Sequence, residues 1–140
     1  MTTVLADARH GIMLSDSSIS DGDRVWIGRK VVRCSGELFG FSGDCDEAVQ
    51  FMAWWKSGQS SKLPHFRNSC CLRLSQSGLF HYDHGVTPQK VPSGIESIGT
   101  GAKAAIAAYD ALGFTNPRRV LALACKYDAN SRTPVRIYKL

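Results

Sequence analysis

The feature that most constrains the fold of this 140-residue chain is a change in hydrophobic period part-way along it. Before residue 44, short runs of β-branched and aromatic residues alternate with glycine and polar turns, a pattern typical of strands. Over residues 44–58, apolar side chains recur at the three- and four-residue spacing of a helix. A chain that carries both periods combines sheets with helices.

The strand-like runs predict two sheets. They are residues 3–9, 12–17, 24–34, 37–41, 70–74, 79–82 and 134–138. An alanine-rich helix opens at Gly99-Thr100-Gly101 and runs through Leu112, and Asn116-Pro117 starts another that runs to about Tyr127. This order predicts one α+β domain over residues 1–140, with two antiparallel sheets stacked between helical layers, although other α+β sandwiches share the pattern.

The composition is that of an ordinary globular protein. Hydrophobic residues make up 44% of the chain and charged residues 21%. No apolar run approaches the roughly 20 residues that span a bilayer. Residues 1–7 have neither the basic nor the apolar segment of a signal peptide. We therefore expect a cytoplasmic protein that does not enter a membrane.

Cysteine and histidine patterns predict no metal and no other cofactor. The five cysteines are odd in number and include no C-x-x-C pair, which indicates reduced thiols rather than a disulfide framework or a zinc site. His81 and His84 fall in a predicted hairpin with no third ligand placed beside them.

The net charge of +5 raises the alternative of a small nucleic-acid-binding protein. Lysine and arginine are scattered along the chain, and no nucleic-acid-binding motif occurs. A mildly basic enzyme surface without a nucleic-acid partner is the preferred interpretation.

The N-terminus carries a potential nucleophile. Methionine before a small residue is normally removed, so the mature chain would begin at Thr2. An N-terminal threonine combines a hydroxyl nucleophile with an α-amine whose reference pKa of about 7.7–8.0 lets it act as a base near neutral pH. Many proteins begin with Met-Thr for no catalytic reason, so this signal depends on the rest of the sequence.

Six segments, in order along the chain, resemble the successive signatures of proteasome β subunits and bacterial HslV-type peptidases. They are Met1-Thr2-Thr3-Val4, Gly11-Ile12-Met13-Leu14-Ser15-Asp16, Arg29-Lys30-Val31, Gly40-Phe41-Ser42-Gly43, Ile98-Gly99-Thr100-Gly101 and Asp128-Ala129-Asn130-Ser131. The chain is similar to a shortened member of this family of N-terminal-nucleophile hydrolases. The resemblance implies a four-layer αββα sandwich that lacks one of the usual helices.

The resemblance also implies roles for individual residues. Thr2 Oγ would attack the scissile carbonyl, and its amine would carry the proton. Lys30 would keep that amine unprotonated by its positive charge, and Asp16 would orient Lys30. The backbone N–H of Gly43 would donate to the tetrahedral oxyanion.

Three more residues would orient the Thr2 amine. They are Asp128, Ser131 and Thr100, the last of which stands where the family usually has serine.

Each of these residues also has an ordinary structural interpretation. Asp16 could end a strand, Lys30 could be an exposed strand charge, and Gly43 could simply terminate a strand. Asp128 and Ser131 could be polar residues at a helix end. Their joint occurrence in the family order favours the catalytic interpretation.

Two departures from the family pattern concern length. The segment 11–16 is about two residues shorter than the family's, and a loop at residues 58–68 replaces a second long helix. The missing helix bears on assembly more than on chemistry.

The resemblance predicts a threonine-type endopeptidase that cleaves unfolded polypeptides or peptides, as a homo-oligomeric ring served by a separate unfolding ATPase. The alternative is a catalytically silent structural or binding subunit of the same fold. Retention of Thr2 and Lys30 favours the active enzyme, and persistence of Met1 would favour the silent one.

Overall fold

The computed structural model describes residues 2–21, 23–62, 64–84 and 87–140. The strands within these residues are β1 (Thr3–Asp7), β2 (Ile12–Ser15), β3 (Ser18–Asp21), β4 (Arg24–Ile27), β5 (Val31–Cys34), β6 (Glu37–Ser42), β7 (Cys70–Ser75), β8 (Gly78–Asp83), β9 (Gln89–Lys90), β10 (Ile95–Gly99) and β11 (Arg136–Lys139). The helices are α1 (Cys45–Lys56), α2 (Ala102–Leu112) and α3 (Pro117–Tyr127).

Two antiparallel sheets form the centre of the fold. The first has the order β10-β1-β2-β11 and the second the order β5-β6-β7-β8-β9. Alternate residues of β1 face opposite sides, as strand geometry requires. Val4 and Ala6 pack between the sheets with Leu72 and Leu74, whereas Leu5 faces helices α2 and α3.

Helices cover both outer faces. Helices α2 and α3 pack on the first sheet through Tyr109, Leu121 and Ala124, and α1 packs on the second through Phe51 and Met52. The layers are therefore helices, sheet, sheet and helix. This arrangement confirms the predicted α+β class and the αββα sandwich.

Local sequence signals explain where the helices begin. The Asp44 carboxylate accepts from the Asp46 backbone N–H and caps α1. Asn116 caps α3 in the same way, with Pro117 in the first turn. All three predicted helices are confirmed to within about two residues at each end.

The prediction of one strand over residues 24–34 is wrong. That segment contains β4, a break at residues 28–30, and β5, and the two strands belong to different sheets. Strand β4 pairs with β3, a strand that the sequence pattern did not predict. The apolar residues of β4, Val25, Trp26 and Ile27, are exposed. Their apolar character is typical of a buried strand, which is why the sequence pattern joined them to β5.

Aromatic side chains cover the second sheet where a further helix is expected in the family. None of the described residues between α1 and β7 is helical. Phe66 from this loop stacks on Phe51 with ring centroids 5.3 Å apart, and Trp54 and Trp55 lie 5.5 and 6.2 Å from Phe51. Because each aromatic ring buries roughly 150–250 Å² of surface, a short loop suffices to close the layer.

Among the described residues, none of the helices has the length and apolar character needed to traverse a bilayer.

A buried carboxylate ties the β1–β2 turn to the helical layer. Asp7 accepts hydrogen bonds from the Tyr109 hydroxyl and the Arg9 backbone N–H, and its Oδ2 lies 2.6 Å from His10 Nδ1. The His10 ring stacks on Phe114 with centroids 3.7 Å apart. Burial raises the pKa of Asp7, but the hydrogen bonds from Tyr109 and His10 outweigh burial and leave that pKa below its ordinary value.

Replacing this carboxylate tests its contribution to stability. We expect Asp7→Asn to lower the free energy of unfolding by about 1–3 kcal/mol at neutral pH, because buried donors lose a charged acceptor. The folded pKa lies below the unfolded value of about 3.9, so the contribution is complete above that pH and disappears as the pH falls through the folded pKa.

Urea unfolding followed by circular dichroism at several pH values measures this loss. Asp110→Asn, an exposed carboxylate on α2, is the control and should change little. Equal losses in both variants, or an Asp7→Asn effect that does not shrink in acid, would contradict the assignment.

Candidate active site

Thr2 lies immediately before β1, buried at 7% exposure, in tight contact with β10. Strand β1 pairs with β10 so that Thr3 stands opposite Gly99. A Cβ atom at Gly99 would lie 1.8 Å from the Thr2 carbonyl oxygen, so only glycine permits this approach. Met1, whose removal the sequence predicts, lies outside the described residues.

Asp16 and Lys30 form a buried ion pair beside Thr2. Lys30 Nζ donates to Asp16 Oδ1 at 2.7 Å, and both residues are buried. Burial lowers the pKa of Lys30, and the hydrogen bond and negative charge of Asp16 oppose that shift. The ordinary alternative for Lys30, an exposed strand charge, is therefore wrong. It lies in the break before β5 with its ammonium held inside the protein.

The Asp16 carboxylate is fully supplied with donors. Besides Lys30, it accepts from the backbone N–H groups of Thr3 at 2.8 Å, Ser18 at 3.0 Å and Arg132 at 3.3 Å. These donors come from separate parts of the chain and hold the carboxylate in one orientation beside Lys30.

A second polar cluster joins the start of α2 to the end of α3. Asp128 Oδ2 accepts from Thr100 Oγ1 at 2.8 Å and from the Ser131 hydroxyl, and its Oδ1 accepts from the Asn130 backbone N–H. Burial raises the pKa of Asp128, but the bonds from Ser131 and Thr100 outweigh it, so the pKa lies below its ordinary value. Asp128 is thus ionised at neutral pH.

Gly43 ends β6 in a conformation that other residues rarely adopt. Its φ is +112°, and a Cβ there would lie 2.1 Å from the Asn68 carbonyl oxygen. The next residue, Asp44, donates its backbone N–H to Ser69 Oγ at 2.8 Å. Gly43 is consequently fixed where β6 turns into α1.

A cavity of about 520 Å³ opens against these residues. Thr2, Lys30 and Gly43 all line it. Most other lining residues are apolar and come from β3, β5, β6 and one face of α1; they include Ile19, Val32, Phe41, Val49, Met52 and Ala53. This size and apolar character are typical of small-molecule or side-chain binding sites.

The structure brings all seven predicted site residues to one region in two groups. Thr2, Lys30 and Gly43 line the cavity, with Asp16 directly behind Lys30. The second group is Thr100, Asp128 and Ser131, connected by hydrogen bonds.

The sequence interpretation missed Thr3, which contacts both groups. Its backbone N–H donates a hydrogen bond to Asp16 Oδ1, and its Oγ1 lies 2.6 Å from Ser131 Oγ. Its adjacency to Thr2 was the available signal. The cavity residues were also missed, because the helical spacing of α1 does not distinguish a core face from a cavity face.

Comparison with solved structures finds similar chains over the whole length. The crystal structure of eukaryotic HslV from Trypanosoma brucei matches with a TM-score of 0.77 and 18% identity, over 99% of this chain and 100% of that chain. BPH from Thiobacillus denitrificans in complex with epoxomicin matches with a TM-score of 0.74 and 16% identity, over 99% and 98% of the two chains. A second BPH structure gives 0.72 and 14%, over 100% and 97%.

These likenesses and the four-layer arrangement define the fold as that of N-terminal-nucleophile hydrolases. Within that class, it is the HslV and proteasome β-type fold, and the three helices in the described residues fit a shortened version of it. No protein-family profile and no curated protein sequence matches the chain.

The backbone of Gly43 can be tested by comparison with a second glycine. Gly36 also has positive φ, at +79°, but a Cβ there would meet nothing within 4 Å. We expect Gly36→Ala to cost about 1–2 kcal/mol of unfolding free energy from backbone conformation alone. Gly43→Ala should cost roughly 1–3 kcal/mol more, because its Cβ meets backbone that cannot easily move.

Urea denaturation curves for the two variants and the parent protein supply these values. Similar losses in both variants would show that the close approach at Gly43 is not a real constraint.

Proposed function

We propose that this chain is a threonine peptidase, with Thr2 as its N-terminal nucleophile once Met1 is removed. The observation that carries the proposal is the buried Lys30–Asp16 ion pair, whose lysine lines the same cavity as Thr2. A buried pair of this kind has a large desolvation cost and is weak evidence for stability, so a chemical role accounts for it better.

The proposed reaction is acyl transfer. Thr2 Oγ attacks the carbonyl carbon of the scissile bond while the Thr2 amine accepts the hydroxyl proton. The amine then gives that proton to the departing nitrogen, and water hydrolyses the resulting ester. The backbone N–H of Gly43, at the cavity wall, is assigned to the oxyanion, a donor typically worth about 3–4 kcal/mol in the transition state.

Two opposite charges set the state of the Thr2 amine in this scheme. The ammonium of Lys30 disfavours a second positive charge and keeps the amine neutral enough to act as a base. The Asp128 carboxylate, held by Ser131 and Thr100, accepts from the amine and fixes its direction. The low pKa of Asp128 supports this role, because the carboxylate stays negative throughout the working pH range.

The cavity defines the class of substrate side chain that we assign to the site. Its walls are mainly apolar, so the residue before the scissile bond is proposed to be a medium-sized or large apolar one. Unfolded polypeptides and peptides present such side chains, and folded proteins bury them.

We extend the proposal to a single domain over residues 1–140 that works in the cytoplasm as a homo-oligomeric ring with a separate unfolding ATPase.

Substitution of Thr2 tests the proposed nucleophile. Thr2→Ala should lower kcat on an unfolded or peptide substrate by at least about 1,000-fold, because it removes the attacking oxygen. Thr2→Ser keeps that oxygen and should retain measurable turnover. Alanine and serine are both small, so Met1 removal should be the same in the two variants.

Fluorogenic peptides with an apolar residue before the cleaved bond give the rates. If the parent protein has no more activity than Thr2→Ala, the silent-subunit alternative replaces the peptidase.

The proposed side-chain preference can be tested on α1. Val49 lines the cavity at 68% exposure, so Val49→Glu should fold normally while placing a negative charge at the wall. We expect the ratio of kcat/KM for leucine over lysine before the scissile bond to fall at least about tenfold. Gln50→Glu adds the same charge beside it, on a residue that does not line the cavity, and should leave the ratio unchanged. Equal ratios in both variants would remove the cavity from the binding site.

A further inference from the structure

Thr3 is a fully buried residue with polar contacts on two sides. Its backbone N–H donates to Asp16 Oδ1 at 2.8 Å, the same oxygen that accepts from Lys30. Its backbone carbonyl accepts from the Asp16 N–H at 3.1 Å, so Thr3 and Asp16 hold each other through two hydrogen bonds. These contacts involve only the main chain of Thr3 and leave its side chain for another partner.

The side-chain hydroxyl of Thr3 contacts the second polar group. Thr3 Oγ1 lies 2.6 Å from Ser131 Oγ, and the Ser131 hydroxyl is bonded to Asp128 Oδ2. An ionised carboxylate only accepts hydrogen bonds, so the single hydroxyl proton of Ser131 points to Asp128. Ser131 is therefore the acceptor in its bond with Thr3, and Thr3 is the donor.

The contacts form a directed chain from Thr3 through Ser131 to Asp128, which Thr100 joins from the other side. Hydrogen bonds in such a chain strengthen one another by polarisation. The backbone at Gly101 packs directly against the Thr3 hydroxyl, since a Cβ at Gly101 would lie only 2.1 Å from Thr3 Oγ1.

From this geometry we infer that Thr3 is a positioning residue, whose hydroxyl orients Ser131 and Asp128 toward the amine of the adjoining Thr2. The inference rests on the proposed function, because it assigns Thr3 a part in the use of that amine as a base. Thr3 does not touch the reacting atoms and acts through Ser131.

Removing the hydroxyl alone should leave the fold intact. The main-chain bonds between Thr3 and Asp16 do not involve the side chain, and the Arg132 N–H still links the segment after Ser131 to Asp16. Thr3→Val has nearly the same shape as threonine and keeps these bonds. Thr3→Ser keeps the hydroxyl and loses only a methyl group.

We expect Thr3→Val to lower kcat on an apolar peptide substrate about tenfold, with KM changed by less than about twofold. Thr3→Ser should restore kcat to within about threefold of the parent. Comparable defects in both variants would show that the loss of kcat does not depend on the hydroxyl and would overturn the inference.

The pH profile of kcat gives a readout that a purely structural role would not move. Without the Thr3 hydroxyl, Ser131 donates a weaker hydrogen bond to Asp128. The negative charge of Asp128 then acts more fully on the Thr2 amine. A stronger negative neighbour raises the amine pKa, so the acid limb of the Thr3→Val profile should move to higher pH. Among the described residues, the charged and titratable groups that line the cavity with Thr2 or interact with Lys30 are Asp16, Arg29, Lys30, Asp44, Cys45, Lys56, Cys125 and Asp128. Thr3→Val alters none of them.

A double-variant cycle tests the proposed route through Ser131. If Thr3 acts through Ser131, Thr3→Val combined with Ser131→Ala should be no slower than Ser131→Ala alone. The inference would be overturned if the kcat losses of the two single variants multiplied in the double variant. It would also be overturned if Thr3→Val left both kcat and the acid limb of its pH profile unchanged. Should circular dichroism show that Thr3→Val is unfolded, Thr3→Cys, whose thiol is a weak donor, must show the slower kcat and shifted limb instead.

These outcomes separate the inference from the function on which it rests. A parent protein that turns over peptides while Thr3→Val matches it in rate and pH profile would refute the role of Thr3 alone. A parent protein no faster than Thr2→Ala would refute both.

Discussion

The Asp16 carboxylate accepts hydrogen bonds from four separate parts of the chain, namely Thr3, Ser18, Lys30 and Arg132. Burying an ion pair costs several kcal/mol per ion in lost hydration, and only well-placed donors offset that cost. Asp16 follows a strand of the first sheet, and Lys30 precedes a strand of the second. The bonds that stabilise the carboxylate therefore also fix the sheets against each other, beside the cavity.

Sequence patterns predicted the helices because helix boundaries depend on local signals, whereas the αββα layer order was implied by the family resemblance. Caps at Asp44 and Asn116 accept backbone N–H groups of their own helix, and no distant contact is needed to place them. The site residues were predicted differently. Each of Asp16, Lys30 and Asp128 is ambiguous alone, and the family order of their motifs supplied the prediction that they meet in space.

Tertiary contacts account for what the sequence could not predict. Residues 24–34 have the composition of one strand, and the division into β4 and β5 depends on Gly28 packing against Ile19 and donating to the Ser17 carbonyl. The side-chain contact of Thr3 spans 128 positions, to Ser131, so no local pattern could reveal it. Likewise, cover of the second sheet by Phe66 and the paired tryptophans follows from packing rather than periodicity.

The central claim is that Thr2 carries both a free amine and a reactive hydroxyl. A threonine-directed electrophile bonds to this residue only if its hydroxyl is a reactive nucleophile. Intact mass spectrometry of the treated protein, followed by fragmentation, tests the claim directly. The account predicts a chain that lacks Met1 and carries one adduct on Thr2. A chain that retains Met1, or a free Thr2 that takes no adduct, would contradict it.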